Sequence, residues 1–395
     1  MKKQAKPLQA LYFTQFLSAF ADNMVLFITL AIIMQKTLGD FYIGIVQAAF
    51  FVAYIILAPF VGLLADRNPK AKILMLGNGI KGIGILLLFL ELDPALSYAI
   101  VGIGAVIYSP AKYGILPQLT KDENDLLVAN GKIEGYTILA ILTGTVAGGF
   151  LAAYSIPLAM LACLLFYLLS AGLSLLIPNI DGTKSGSYKT AFQDFFRDIR
   201  DLFLIPKSQF SLIGTASFWM TSAVLRLAMF AWIPLVLGIT TTDKISMIVA
   251  STGIGIVIGS LVTPFLIPAK KYYRSYIYGF FMVAIIFLFA GVSNLYLSIA
   301  LLLFIGFMGG VFIVPMNSAL QEVGHQKMGA GRAIAVQNFA NNVLMLVGVG
   351  LYTLLSSQGV GVITSILGMG GLLLLFVFYL MFKQMTIKKL IQENR

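Results

Sequence analysis

The chain has 395 residues, 59% of them hydrophobic and only 11% charged, with a formal net charge of +11. No soluble domain of this length carries so little surface charge, so the composition excludes an ordinary globular enzyme and points to a polytopic membrane protein. The one cysteine, Cys163, lies in an apolar run and excludes a disulfide framework. The one histidine, His325, leaves no partner for a His-based metal site or catalytic dyad, and no cofactor is expected.

The first apolar segment, 8–34, is long enough as a helix to cross a bilayer at a tilt, at about 40 Å. It carries Asp22 and Asn23 near its midpoint. A carboxylate at that depth costs roughly 2.5–3.5 kcal/mol, so Asp22 is expected to face a wet cavity or a cation. Lys2, Lys3, Lys6 and Ala19-Phe20-Ala21 imitate a cleavable signal peptide, but the apolar run continues to Met34, and an uncleaved helix is expected. Five more segments follow at 41–65, 73–90, 96–118, 126–153 and 156–177, and six at 209–237, 245–268, 273–291, 295–318, 329–356 and 360–382. The halves are bridged by 178–208, in which Tyr188, Phe192, Phe195, Phe196, Ile199, Leu202 and Phe203 recur at three- and four-residue steps opposite a charged face. That pattern predicts an amphipathic helix at the membrane interface, ended by Pro206 and tethering the halves. The expected organisation is therefore a six-helix bundle over 1–177, the linker, and a six-helix bundle with a basic tail over 209–395.

Lys and Arg set the orientation. With the N-terminus inside, the inner loops and termini hold twenty of them, including Arg67, Lys70, Lys72, Lys189, Arg197, Arg200 and Lys388, while the outer loops hold only Lys36 and Lys244. Both termini are expected to be cytoplasmic, and the net charge reads as a membrane-surface bias rather than a nucleic-acid footprint. Weak internal repetition accompanies the split: Tyr108-Ser109-Pro110-Ala111 answers Ile313-Val314-Pro315-Met316, Asn130-Gly131-Lys132 answers Ala330-Gly331-Arg332, and Asp22 falls at the depth of Arg226.

The loop Gly62-Leu63-Leu64-Ala65-Asp66-Arg67-Asn68-Pro69-Lys70-Ala71-Lys72 resembles the signature loop of the major facilitator superfamily, with Pro69 where a glycine is usual and Ala71 where a base is usual. The resemblance implies an all-α membrane protein of twelve transmembrane helices in two bundles. It also implies that Asp66, with Arg67, gates the cytoplasmic ends in the outward-open state. The matching loop of the second half, 259–274, keeps bases but no acid. Gln15 to Asn23, Tyr108 to Leu116 and Ala333 to Asn338 further resemble the bacterial lysophospholipid transporters of that superfamily. This second resemblance implies movement of lysophosphatidylethanolamine and related lysolipids from the outer to the inner leaflet of the bacterial inner membrane. There a cytoplasmic acyltransferase/acyl-carrier-protein synthetase, a candidate partner, restores the missing chain. A monomer is expected.

A lysolipid offers a phosphate, often an ammonium, and one tail, so its carrier needs a few polar anchors in an apolar cleft. Lys112, beside Tyr113, is the best phosphate ligand on offer. Lys81 and Glu134 lie at similar depth and either join the site or pair with each other. Gln15, Asn23, Gln337, Asn338, Asn341 and Asn342 either line the cleft or hold helices together. Asp22 and Arg226 are read as a mid-membrane lock or as head-group ligands, the alternative being that each pairs within its own bundle. A gradient of lysolipid maintained by reacylation would make proton coupling unnecessary. The competing reading is a proton-coupled exporter of drugs or other amphiphiles on the same scaffold. An acyltransferase would need an acid four residues after its histidine, and the first acid after His325 is Glu393.

Overall fold

The computed structural model describes residues 2–37, 40–182 and 186–393. The helices in chain order are α1 (Lys2–Gln35), α2 (Asp40–Arg67), α3 (Lys70–Phe89), α4 (Pro94–Gly114), the single turn α5 (Leu116–Leu119), α6 (Glu123–Tyr154) and α7 (Ile156–Ser174). They continue with α8 (Ala191–Leu204), α9 (Pro206–Trp232), α10 (Thr242–Leu266), α11 (Tyr276–Ala290), α12 (Leu295–Lys327), α13 (Ala330–Ser357) and α14 (Val362–Glu393). A π-turn, Ile233–Leu237, follows α9, and a 3-10 segment, Ala269–Ser275, precedes α11. Among the described residues, eleven helical stretches are long and apolar enough to cross a membrane. The second expected segment, 41–65, is occupied by α2.

Most of these helices are apolar around their whole circumference, as a helix between lipid and a packed interior must be. Their starts are set by ordinary capping chemistry. The Leu96 amide donates to the Asp93 carboxylate at 2.9 Å ahead of α4, and the Leu297 amide donates to the Asn294 side chain at 3.1 Å ahead of α12. The Tyr42 hydroxyl also binds Asp93 and holds its carboxyl below the usual range.

The linker helix α8 ends just ahead of Pro206, which pushes Ile205 into the extended conformation. Pro206 is also the first residue of α9, where its missing N–H costs no hydrogen bond. His325 lies in the last turn of α12.

The chain divides into two compact units. One comprises Met1–Asp122, Tyr136–Ile199 and Gly324–Phe339, and the other comprises Glu123–Gly135, Arg200–Val323 and Ala340–Arg395. In the first, α3 packs on α4 and α7, α4 on α2, and α1 on α7. Met24, Ile28, Val46, Ile85, Val101, Cys163 and Tyr167 fill its core. In the second, α14 packs on α9 and α11. The opening turns of α6 belong to the second unit and those of α13 to the first, so the units do not follow the sequence halves 1–177 and 209–395.

Candidate functional site

Polar residues at helical spacing build a buried chain through the first unit. Thr14, Ser18 and Asp22 share one face of α1, Asn78 and Lys81 share a face of α3, and Tyr167 and Ser170 share a face of α7. The Lys81 ammonium donates to Asp22 Oδ2 and to Ser18 Oγ, both at 2.8 Å, and the Tyr167 hydroxyl donates to Asp22 Oδ1 at 2.8 Å. Ser18 then donates to Asn78 Oδ1 at 2.7 Å, Asn78 to Ser170 Oγ at 2.9 Å, and Ser170 to the Thr14 carbonyl at 2.7 Å. All donors in the series point one way, from Lys81 toward Thr14, and such chains polarise one another. The Tyr108 ring lies 4.6 Å from the ammonium and adds a cation–π contact. Lys81 is 1% exposed, whereas the Asp22 side chain is 22% exposed. The pair thus holds its cation inside the protein while the Asp22 side chain stays part-exposed.

Within the first unit Asp22 is held by Lys81 and Tyr167, and Lys81 by Asp22 and Ser18, which is the reading in which Asp22 pairs inside its own bundle. Arg226 is exposed on α9 and makes no ion pair among the described residues. Glu134, 1% exposed, is buried on α6. The other expected ligands are dispersed. Gln15 donates to Thr137 Oγ1 at 2.8 Å, Asn23 to the Ala19 carbonyl of its own helix at 2.8 Å, and Asn338 to Ser109 Oγ at 2.9 Å. Lys112 is buried with its ammonium 4.1 Å from the Tyr113 ring centroid, and Gln337, Asn341 and Asn342 are buried on α13.

A second cluster forms where α2 ends. The Gly331 and Arg332 amides, at the start of α13, donate to Asp66 Oδ1 and Oδ2, each at 2.8 Å, and Lys70 lies 3.6 Å from Oδ1. A carboxylate on the first amides of a helix meets both unsatisfied donors and the positive end of the dipole. Burial raises the Asp66 carboxyl above the ordinary carboxylate pKa, although Lys70 and the two amides act in the opposite direction. Only glycine fits here: a Cβ on Gly331 would lie 2.8 Å from Asp66 Oδ1, and one on Gly329, whose φ is +114°, would lie 2.3 Å from Oδ2. Arg67 instead reaches the linker, donating to the Gly186 carbonyl at 3.0 Å with its guanidinium 5.3 Å from the Tyr188 ring centroid. The side chain of Arg332 makes a bidentate contact with Asp198 of α8, at 2.7 and 2.6 Å.

Sequence reasoning missed Ser18, Asn78, Tyr167 and Asp198. The four-residue spacing of Thr14, Ser18 and Asp22 was the available signal for the first cluster. For Asp198 no signal distinguished it from the other acids of the linker. Among the described residues no group of three or more His, Cys, Asp or Glu side chains could hold a metal ion.

Helices long and apolar enough to cross a membrane, enclosing a compensated charge pair, are the build of a polytopic membrane protein. The chain belongs to the Major Facilitator Superfamily, whose family profile matches residues 11–349. Its relatives include proteins named Lysophospholipid transporter LplT. That of Photorhabdus laumondii is 40% identical over 373 residues, 94% of each chain. That of Pectobacterium carotovorum is 40% identical over 362 residues, covering 91% of this chain and 89% of the relative. Among solved structures, the E. coli fucose:proton symporter FucP superposes with a TM-score of 0.76 at 13% identity, covering 95% of this chain and 98% of that one. A bacterial homologue of the iron transporter ferroportin, in an outward-facing state, gives 0.72 at 13% identity, covering 94% and 98%. These two share the fold.

Proposed function

We propose that the chain is a lysophospholipid transporter that moves lysophosphatidylethanolamine and related lysolipids from the outer to the inner leaflet of the bacterial inner membrane by alternating access with lateral access from the bilayer. The similarity to lysophospholipid transporters along 94% of both chains carries this reading. The chemistry of the first unit supports it: a part-exposed carboxylate in an apolar setting suits a head-group ammonium or hydroxyl. Lys81 acts as the fixed counter-ion of Asp22. The remaining head-group contacts fall to Lys112 with Tyr113, to Arg226 for the phosphate, and to Gln15, Asn23, Glu134, Asn338 and Asn342 along the route.

The twenty-to-two distribution of Lys and Arg supports cytoplasmic termini. In that orientation the Asp66 latch and Arg67 gate the cytoplasmic end. The cytoplasmic acyltransferase that consumes the lysolipid is the natural partner, and the working unit is a monomer. Reacylation, not a proton gradient, draws the substrate inward.

The test is uptake of labelled lysophosphatidylethanolamine by spheroplasts expressing the chain, with and without a proton uncoupler. Uptake that survives the uncoupler supports the proposal. Uptake that collapses, accompanied by drug efflux, indicates a proton-coupled exporter instead. Binding measured in detergent should weaken in Lys112→Ala, and unchanged affinity would remove Lys112 from the site.

A further inference from the structure

The linker helix α8 has three faces rather than two. At 100° per residue, Phe195, Asp198 and Leu202 lie together on one side, and each is 4% exposed or less. About a third of a turn away lie Phe192, Phe196 and Phe203, which are 60%, 50% and 37% exposed. The rest of the circumference carries exposed Gln193, Arg197 and Asp201. A helix packed on protein along one side and on water along another has no reason to display three phenylalanines along a third side, unless that side meets oil.

The bilayer is the occupant that the chain itself supplies. A single residue, Ile205, joins α8 to α9, a membrane span, so the aromatic face is held at the membrane surface. Arg200, exposed next to the aromatic face, is placed for lipid phosphates.

The docked face reaches the latch. Asp198 holds the Arg332 guanidinium at 2.6 and 2.7 Å, while the Arg332 amide is one of the two donors on Asp66. The Phe195 ring meets Phe339 edge-on, with centroids 5.4 Å apart. Ahead of α8, Arg67 grips the Gly186 carbonyl, so the linker bears on both sides of the α2–α13 junction.

We propose that α8 is a membrane-seated strap: its phenylalanine face binds the adjoining leaflet surface, and its Asp198 face holds the start of α13 against Asp66 until the strap lifts. In the orientation proposed above, that leaflet is the cytoplasmic one. Opening of the junction is then sensitive to the lipid surface, whatever the substrate.

The test uses the full chain in phosphatidylethanolamine/phosphatidylglycerol vesicles and needs no substrate. Nitroxide labels on Phe192→Cys and Phe203→Cys, in a Cys163→Ala background, should be relaxed by oxygen more than by a water-soluble nickel reagent, with the reverse for Gln193→Cys. Nickel relaxation as strong at 192 and 203 as at 193 overturns the seating. For the clamp, Ala335→Cys, in the crevice that Phe195 and Asp198 line, reports junction opening through its maleimide-labelling rate. Asp198→Asn should raise that rate about tenfold, through loss of charge-assisted hydrogen bonds, and Asp198→Glu should return it toward the parent value. The Phe192→Ser/Phe196→Ser variant, which alters only exposed side chains, should raise the rate similarly, and adding Asp198→Asn to it should add little. Labelling at the parent rate in the serine variant overturns the proposal even if Asp198→Asn fails to fold.

Discussion

The two units bury polar groups in different ways. In the first, charges cross between elements: Lys81 of α3 to Asp22 of α1, Asp66 of α2 to the amides of α13, and Asp198 of α8 to Arg332. In the second, the hydroxyls of Ser211, Thr215, Ser217 and Thr221 all return to carbonyls of their own helix, α9, as do Ser251 and Thr263 in α10. By internal repetition the segment that answers Ala330-Gly331-Arg332 is Asn130-Gly131-Lys132. Asn130 of α6 and Gln321 of α12 exchange amide hydrogen bonds at 2.9 and 2.6 Å, and the Gly131 backbone closes on the Ser260 carbonyl. One of the second unit's ion pairs, Lys207 with Glu322, is only partly buried. A charged junction is strong when closed and costly to leave half open, whereas a neutral amide pair parts and re-forms with less penalty.

Substitutions can break or sharpen this contrast. The largest effect is expected for Lys81→Met, which leaves Asp22 without its cation and should cost about 3 kcal/mol, read as a lowered Tm in detergent. Adding Asp22→Asn should restore much of that loss, because a neutral side chain needs no counter-ion. Asp66→Asn keeps the shape but loses the charge on the α13 amides. Its expected cost is about 2 kcal/mol, and maleimide labelling of Ala335→Cys should rise with it. Asn130→Leu strands the Gln321 amide and should cost about 1–2 kcal/mol, whereas Asn130→Leu/Gln321→Leu should approach the parent Tm. Smallest is Thr221→Val, which removes a bond within one helix and should shift stability by about 0.6 kcal/mol or less. If Thr221→Val proved as damaging as Lys81→Met, the contrast between the units would fail.

Much of the architecture was legible because a bilayer permits few solutions. Apolar runs of span length, broken by turn and charge clusters, must be helices, and each expected segment coincides with one. The loop signature singled out Asp66, but not its partner, the Gly331 and Arg332 amides of α13. The partner of Asp22 was not legible either. Sequence gives depth along a helix but not its rotation toward a neighbour, so it did not select Lys81 as the cation for Asp22. A lysine also reaches several ångströms along its stem, which blurs even the depth. The Asp198–Arg332 contact was hidden for a related reason: the linker carries Asp194, Asp198 and Asp201 on neighbouring turns, and only docking of the helix selects one of them.

Lysolipid uptake by purified protein in vesicles, compared among the parent, Asp22→Ala and Arg226→Ala, tests the transport claim most directly. The parent should equilibrate labelled lysophosphatidylethanolamine across the vesicle bilayer without any imposed proton gradient, and both variants, assayed as folded protein, should lose that uptake. Full uptake in both variants, or none in the parent, would contradict it.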